Sequence, residues 1–118
     1  MADKYRSVEE LMKAEKEGVD YRIRVYDRDH EVTVIAPHGG RIEPGTSEVA
    51  ESIAGSDWNK FLFEGTKPSG NGTLHVTSTR FQHPELDLLL MKSRVAVSVH
   101  GKEGRGKCVA LGGMNGEL

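Results

Sequence analysis

Two β-branched runs that each end in His-Gly constrain this sequence more than any other feature. The first covers residues 32–39 and the second covers residues 95–101. Short apolar, β-branched runs of this kind are typical of strands buried inside a sheet. If the two strands run parallel, both histidines emerge at the carboxyl ends, where open α/β sheets place their ligands. The repeated pattern therefore predicts that His38 and His100 meet at one edge of a sheet.

The rest of the chain alternates helical and strand-like segments. A capping-box pattern, Ser7-Val-Glu-Glu10, opens a helix that Gly18 ends. Residues 47–55 predict a second helix, and Pro84 suits the first turn of a third. Strands are predicted at residues 21–26, 32–36, 58–64, 74–77, 94–100 and 108–111, and residues 112–118 resemble a strand-to-helix turn. This alternation predicts a single domain, residues 1–118, with an α/β fold around a mixed, mostly parallel sheet flanked by helices.

Glu43 is the third candidate ligand. It lies five residues after His38 and just before a Pro-Gly turn, so the loop can fold back and bring both side chains to one ion. Two imidazoles and one carboxylate, with a fourth position left to water, form a standard catalytic zinc set. Nitrogen and oxygen donors would also suit Mn or Co. The pattern favours one divalent ion held by His38, Glu43 and His100, although a single histidine at a strand end is more often an ordinary surface or core residue.

The other three histidines have weaker patterns. His30 lies in a polar turn and His83 precedes a proline, so both are predicted to lie at the surface. His75 follows an apolar residue in a strand-like segment, where it could face the crevice, but the pattern favours a place on the strand surface at least as strongly.

Two arginines are candidates for binding an anionic group. Arg41 lies between the two loop ligands, and Arg80 follows the segment Thr77-Ser-Thr79. Either guanidinium could bind a substrate carboxylate through two hydrogen bonds or stabilise a tetrahedral oxyanion. A solvated surface arginine explains each position equally well.

Composition narrows the possible partners. With one cysteine, Cys108, the chain forms no intramolecular disulfide and no thiolate metal cage. A formal charge of −2 does not favour nucleic acid or a membrane surface as the main partner. The N-terminus is polar, without an apolar signal region, and the longest apolar run is too short to cross a bilayer. We expect a protein of the cytoplasm, or one released by a phage or bacterium, with an oligomeric state that the sequence leaves open.

A family resemblance is carried most specifically by the block Ala36-Pro-His-Gly-Gly-Arg-Ile-Glu-Pro-Gly-Thr46. Residues 5–11, 17–21, 63–65, 74–79 and 99–101 add to it, so it spans essentially the whole chain. These segments resemble the phage-type poly-γ-glutamate hydrolases, which are also labelled phage-related replication proteins. The resemblance implies a zinc-dependent γ-glutamyl hydrolase with a carboxypeptidase-like α/β fold. The family's histidine, glutamate and second histidine ligands map onto His38, Glu43 and His100.

The resemblance also implies a substrate, a polyanionic γ-glutamyl polymer or peptide whose carboxylates Arg41 or Arg80 would bind. Members of the family are longer than this chain, so we expect it to lack their C-terminal portion. Carboxypeptidase-like enzymes take their general base from a late strand, and neither Glu103 nor Glu117 matches that position. The general base is therefore unassigned.

Two other functions stay open on the sequence. A zinc-dependent deacylase of small N-acyl amino acids would keep the metal and change the substrate, and it would act on an acyl-aspartate but not on the polymer. A truncated zinc-binding domain without catalysis would bind zinc and cleave no γ-glutamyl amide. A purely structural zinc is disfavoured, because three protein ligands leave open a position that structural sites usually close.

Overall fold

One mixed sheet organises the chain in a computed structural model that describes residues 3–102 and 108–114. The strands are β1 (Tyr21–Tyr26), β2 (Val32–Gly40), β3 (Asn59–Gly65), β4 (Val95–Lys102) and β5 (Cys108–Met114). Their order across the sheet is β1-β3-β2-β4-β5. The central strands β3, β2 and β4 run parallel, whereas the edge strands β1 and β5 each pair antiparallel with their neighbour. The predicted α/β fold around a mixed sheet is therefore confirmed.

In the part of the chain that the structure describes, three α-helices flank this sheet, namely α1 (Val8–Ala14), α2 (Thr46–Ala54) and α3 (Pro84–Met91). The capping box predicted for α1 is present, since the Glu10 amide donates to the Ser7 hydroxyl at 3.0 Å. The helix ends at Ala14, earlier than the predicted stop at Gly18. Among the described residues, no helix is long and apolar enough to cross a membrane.

The sheet carries an apolar cluster on each of its two faces, because alternate side chains of a strand point to opposite sides. Helix α2 covers one face, where Ala50 and Ala54 pack with Leu62 of β3. Helices α1 and α3 cover the other face, where Leu11 and Leu89 belong to the cluster that contains the phenylalanines of β3. With both faces covered, the carboxyl edge of the parallel strands is where polar side chains can gather.

The predicted strand at residues 74–77 is wrong. Two short 3₁₀ helices, Asn71–Leu74 and Ser78–Arg80, bracket an irregular segment there. Leu74 and Val76 are fully buried, so the side chains alternate as in a strand while the backbone pairs with none. At the other end, β5 runs to Met114 and replaces the start of the predicted turn at residues 112–118. Residues 103–107 and 115–118, with Glu103 and Glu117, lie outside the described residues.

Gly40 ends β2 in a left-handed backbone conformation, with φ 62°. A Cβ atom at this position would lie 2.6 Å from the Gly65 carbonyl oxygen. We expect Gly40→Ala to lower the free energy of unfolding by about 2 kcal/mol or more, because left-handed strain adds to a clash with backbone. Gly72→Ala is the matched control, since a Cβ there meets nothing within 4 Å. Denaturant unfolding measures both variants, and equal losses would contradict the expectation.

Candidate metal centre

The two His-Gly strand ends meet as the sequence predicted. Strands β2 and β4 are parallel neighbours, and their register places Ile35 beside Ser98. His38 lies three residues beyond Ile35 and His100 lies two beyond Ser98, so both reach the same edge of the sheet. The centroids of the two imidazole rings are 5.5 Å apart, and the ring planes are tilted by 53°. The Nε2 atom of His100 lies 3.0 Å from the Ser98 hydroxyl.

Glu43 folds back over this edge through a tightly bonded loop. Its backbone amide donates to the His38 carbonyl at 2.9 Å, and the Thr46 hydroxyl reaches the same carbonyl at 3.1 Å. The Glu43 carboxylate then accepts the Gly101 amide hydrogen at 2.9 Å. The same Oε1 atom lies 3.3 Å from Nδ1 of His38. Glu43 therefore links the loop after β2 to the residue that follows His100 on β4.

The hydrogen bonding of His38 leaves one ring nitrogen without a partner. Its Nε2 lies 2.7 Å from the Val76 carbonyl oxygen, which can only accept, so Nε2 carries the hydrogen. The side chain is 2% exposed, and this burial holds the pKa of His38 below its usual value, although the Val76 carbonyl and Glu43 act in the opposite direction. A neutral ring with hydrogen on Nε2 has its lone pair on Nδ1.

The unpaired Nδ1 is the observation that points most directly to a cation. Within the described part of the chain, it is the one buried side-chain polar atom that makes no hydrogen bond. It faces the Glu43 carboxylate at 3.3 Å. When the His38 ring is neutral, both atoms carry lone pairs and no hydrogen atom lies between them. A buried polar atom left in this way costs about 1–3 kcal/mol. A divalent cation between the two groups would satisfy both, so the donor set fits a metal.

His75 lies in the same crevice, a position that the sequence alone did not decide. Its ring stacks on the His38 ring, with centroids 3.9 Å apart and planes 20° from parallel. Its Nδ1 contacts Asp3 at 2.8 Å, and because a carboxylate accepts, Nε2 holds the lone pair when the ring is neutral. That Nε2 lies 3.7 Å from the second Glu43 oxygen. Ligand atoms of His38, Glu43 and His75 all lie within 4.8 Å of one another.

The other predicted site residues lie further out. Arg41 is exposed and donates to the Lys67 carbonyl at 2.9 Å. Arg80 is exposed in the second 3₁₀ helix, and no hydrogen bond or ion pair described for the chain links its side chain to His38, Glu43 or His100. Their roles remain predictions.

The surface prediction for His83 is wrong, because its ring caps a helix inside the core. The residue is 7% exposed, and its Nδ1 accepts the Glu85 amide hydrogen at the start of α3. Its ring also packs 5.4 Å from the Phe61 ring, measured between centroids. His30, by contrast, is half-buried and accepts the Val32 amide hydrogen through Nδ1.

Asp3 ties the N-terminal segment to the metal centre. Besides His75, its carboxylate accepts the Thr77 amide and hydroxyl hydrogens, each at 2.7 Å. Burial raises the pKa of Asp3, but the hydrogen bonds from Thr77 and His75 outweigh it and leave that pKa below its usual value. The Asp3 carboxyl therefore binds a proton more readily in the unfolded chain than in the folded one. Its hydrogen bonds stabilise the fold fully above the pKa of the unfolded chain, and this stabilisation is lost as the pH falls through the lower pKa of the folded chain.

We expect Asp3→Asn to lower the free energy of unfolding at neutral pH. The loss should begin to shrink as the pH falls below about 4, where the Asp3 carboxyl of the unfolded chain takes up a proton, and it should vanish only once the folded carboxyl is protonated as well. Urea unfolding across that range measures the difference, with the exposed Asp57→Asn as the control. A loss that stays constant down to about pH 3 would contradict the assignment.

Fold and site together define an α/β protein with a candidate metal centre at the carboxyl edge of its sheet. The sequence model of a family described as poly-γ-glutamate hydrolase matches residues 5–118. The chain belongs to the poly-γ-glutamate hydrolase family, which confirms the resemblance seen in the sequence.

Two proteins of Bacillus subtilis strain 168 illustrate the relationship. The chain is 41% identical over 116 residues to the SPbeta prophage-derived protein YoqZ, and 37% identical over 111 residues to YndL. The matches cover 98% and 94% of this chain but 42% and 43% of those proteins. The chain thus spans less than half the length of these curated relatives.

Two solved structures share the fold. One is a bacteriophage poly-γ-glutamate hydrolase, with a TM-score of 0.83 and 39% identity over 87% of this chain and 50% of that one. The other is a zinc-free apo form of YndL, with a TM-score of 0.82 and 37% identity over 89% of this chain and 51% of that one.

Proposed function

We propose that this chain provides the zinc centre of a hydrolase that cleaves γ-glutamyl amide bonds of poly-γ-glutamate. The observation that carries the proposal is the unpaired Nδ1 of His38 facing the Glu43 carboxylate in a buried setting. Membership of the poly-γ-glutamate hydrolase family supports the substrate. The description of one YndL structure as zinc-free supports zinc as the ion.

We propose His100 as the third ligand beside His38 and Glu43, as the resemblance implies, although it is a ligand atom of His75 that lies within 4.8 Å of theirs. A ligating imidazole points an in-plane lone pair at an ion about 2.0–2.1 Å away. The His38 and His75 rings lie face to face, so their in-plane lone pairs lie in nearly parallel planes and would not converge on one ion. The His38 and His100 rings are tilted and further apart, which allows their planes to converge. His75 would then support the His38 ring by stacking on it.

The groups around the centre set the tautomer and the orientation of the proposed ligands. The Val76 carbonyl fixes the tautomer of His38, so that Nδ1 is ready to ligate without losing a proton. The Gly101 amide orients the Glu43 carboxylate, and the Ser98 hydroxyl lies against His100. When bound, zinc supplies a Lewis acid and a water whose pKa is lowered to about 7. Arg41 and Arg80 are the predicted anion-binding residues, and the general base is unassigned.

The test is cleavage of poly-γ-glutamate by the zinc-loaded chain, followed as a decrease in polymer length by size-exclusion chromatography. We expect shortening that a chelator stops and that His38→Ala lacks. Cleavage of an N-acyl-aspartate but not of the polymer would instead indicate a deacylase. Zinc binding without cleavage of either substrate would identify a zinc-binding domain without catalysis and overturn the hydrolase proposal for this chain.

A further inference from the structure

The chain segment that contacts His38 from the far side of the crevice is held without strand pairing. Residues 75–77 lie between the two 3₁₀ helices and pair with no strand of the described sheet. The Val76 side chain is fully buried, which fixes the depth of the segment in the core. The direction in which the Val76 carbonyl points depends on the contacts of its own peptide group.

That peptide group joins Asp3 to His38. The Val76 carbonyl and the Thr77 amide belong to one planar trans unit, so the oxygen and the hydrogen point in opposite directions. On one side, the carbonyl oxygen accepts the hydrogen of the His38 Nε2 at 2.7 Å. On the other side, the Thr77 amide donates to Oδ2 of Asp3 at 2.7 Å. The Asp3 carboxylate thus orients the carbonyl that keeps a hydrogen on Nε2 of His38.

The charge of Asp3 also strengthens the bond between this peptide and His38. A carboxylate beside the Thr77 amide pushes electron density toward the Val76 oxygen, because hydrogen bonds in a chain polarise one another. The Val76 oxygen is then a better acceptor for the His38 ring. The Asp3 side chain is 15% exposed, so water screens its charge only in part.

The second oxygen of the same carboxylate holds the ring that packs on His38. Oδ1 of Asp3 lies 2.8 Å from Nδ1 of His75, and the His75 and His38 rings are stacked. Two residues further along the chain from Asp3, Tyr5 belongs to the buried core and anchors the N-terminal segment. One carboxylate therefore holds both the carbonyl and the ring that contact His38.

The alternative tautomer of His38 shows why this hold matters for a metal. A hydrogen on Nδ1 would point at the Glu43 carboxylate, whose Oε1 lies 3.3 Å away. The two proposed ligands would then bond to each other, and Nδ1 would have no lone pair for an ion. The bond from Nε2 to the Val76 carbonyl opposes this arrangement.

We propose that Asp3 is a positioning residue of the metal centre, which keeps Nδ1 of His38 free for a divalent cation by acting through the Val76–Thr77 peptide and the His75 ring. No hydrogen bond or ion pair described for the chain joins Asp3 to His38 or Glu43. This inference rests on the proposed function and adds a residue that prepares the centre from outside it.

The first measurement is the tautomer of His38 in the folded, metal-free chain, read from long-range proton–nitrogen NMR correlation spectra. We expect the wild type to carry the hydrogen on Nε2. In Asp3→Ala, a clear share of the molecules should carry it on Nδ1, where Glu43 accepts it. Asp57→Ala removes an exposed carboxylate and should leave the His38 signals of the wild type. His38 signals that are unchanged in Asp3→Ala would overturn the positioning role.

The second measurement is the zinc affinity, from competition with a chromogenic chelator. We expect Asp3→Ala to raise the Kd about 10–100-fold, as is typical when a partner of a metal ligand is removed. Thr77→Val keeps the amide hydrogen and loses one exposed hydroxyl contact, so its Kd should stay within about threefold of the wild type. Gly55→Ala strains a residue with φ 58° at the other end of α2 from Glu43. It should lower the unfolding midpoint but not the zinc affinity, which separates positioning from a general loss of stability.

A zinc Kd in Asp3→Ala within about twofold of the wild type would overturn the positioning role, even if the wild type cleaves the polymer. A weaker affinity together with the change of tautomer would support it. If the wild type binds zinc and cleaves no γ-glutamyl amide, those two results still support the positioning role, and only the hydrolase function is overturned. A wild type that binds no zinc would overturn both.

Discussion

His38→Ala is expected to lose stoichiometric zinc, and His100→Ala is expected to lose it too. His38 contributes a buried, neutral nitrogen whose lone pair has no protein partner in the described residues. Its removal takes away one of three protein ligands and leaves the Glu43 carboxylate facing an open space. Three ligands are the usual minimum for a catalytic zinc site, so we expect the bound metal to fall from about one per chain to near zero.

His75→Ala is the control that distinguishes a ligand from a neighbour. If His75 supports the His38 ring by stacking, its removal should weaken zinc binding by about 10–100-fold and preserve the stoichiometry, as is typical for partners of metal ligands. Competition with a chromogenic chelator measures all three affinities under one set of conditions. Stoichiometric zinc in His100→Ala together with its loss in His75→Ala would reverse the assignment of the third ligand.

Glu64→Ala is expected to be the most destabilising single substitution of a charged residue. The Glu64 side chain is 4% exposed and binds Arg24, whose own side chain is 25% exposed. Removing the carboxylate leaves Arg24 half-buried beside an empty volume, with Glu51 as its remaining ion-pair partner. Breaking one side of such a pair typically costs about 3–5 kcal/mol. We expect about 3 kcal/mol here, since Arg22 on the other side is largely solvated.

Thermal unfolding should show this loss as a decrease of roughly 10–20 °C in Tm for a chain of this size. Glu31→Ala is the matched control, because its ion pair with Arg94 is 3.5 Å long and both side chains are mostly exposed. That variant should remain within about 0.5 kcal/mol of the wild type. Similar losses in the two variants would contradict the anchoring role of Glu64.

The parts of the fold that depend on local patterns were predictable from the sequence. Strand β1 was predicted with its observed bounds, Tyr21–Tyr26, and the capping box marked the start of α1. Glu43 was predictable as a partner of His38 because only five residues separate them, so the loop alone brings them together. Residues 74–77 were wrongly predicted as a strand, because buried and exposed side chains alternate there although the backbone pairs with no other strand.

Contacts between residues that are far apart in the chain could not be predicted from local sequence patterns. Asp3 and His75 are separated by 72 residues and meet only after the N-terminal segment packs beside the crevice. Arg22 and Glu64 become partners because the register of β1 and β3 sets them directly opposite each other. The pattern and the resemblance predicted His38, Glu43 and His100 as ligands, but the contact between Arg22 and Glu64 depends on that register and required the folded chain.

The most direct test of the metal centre is a crystal of the full chain soaked in zinc, with anomalous difference maps collected on either side of the zinc absorption edge. The arrangement predicts one strong peak about 2.0–2.2 Å from the His38 Nδ1, a Glu43 carboxylate oxygen and a ring nitrogen of His100. His75 should remain stacked on His38 and outside that distance. A peak bound by His75 in place of His100 would contradict the ligand assignment. No peak at this edge of the sheet would contradict the metal centre itself.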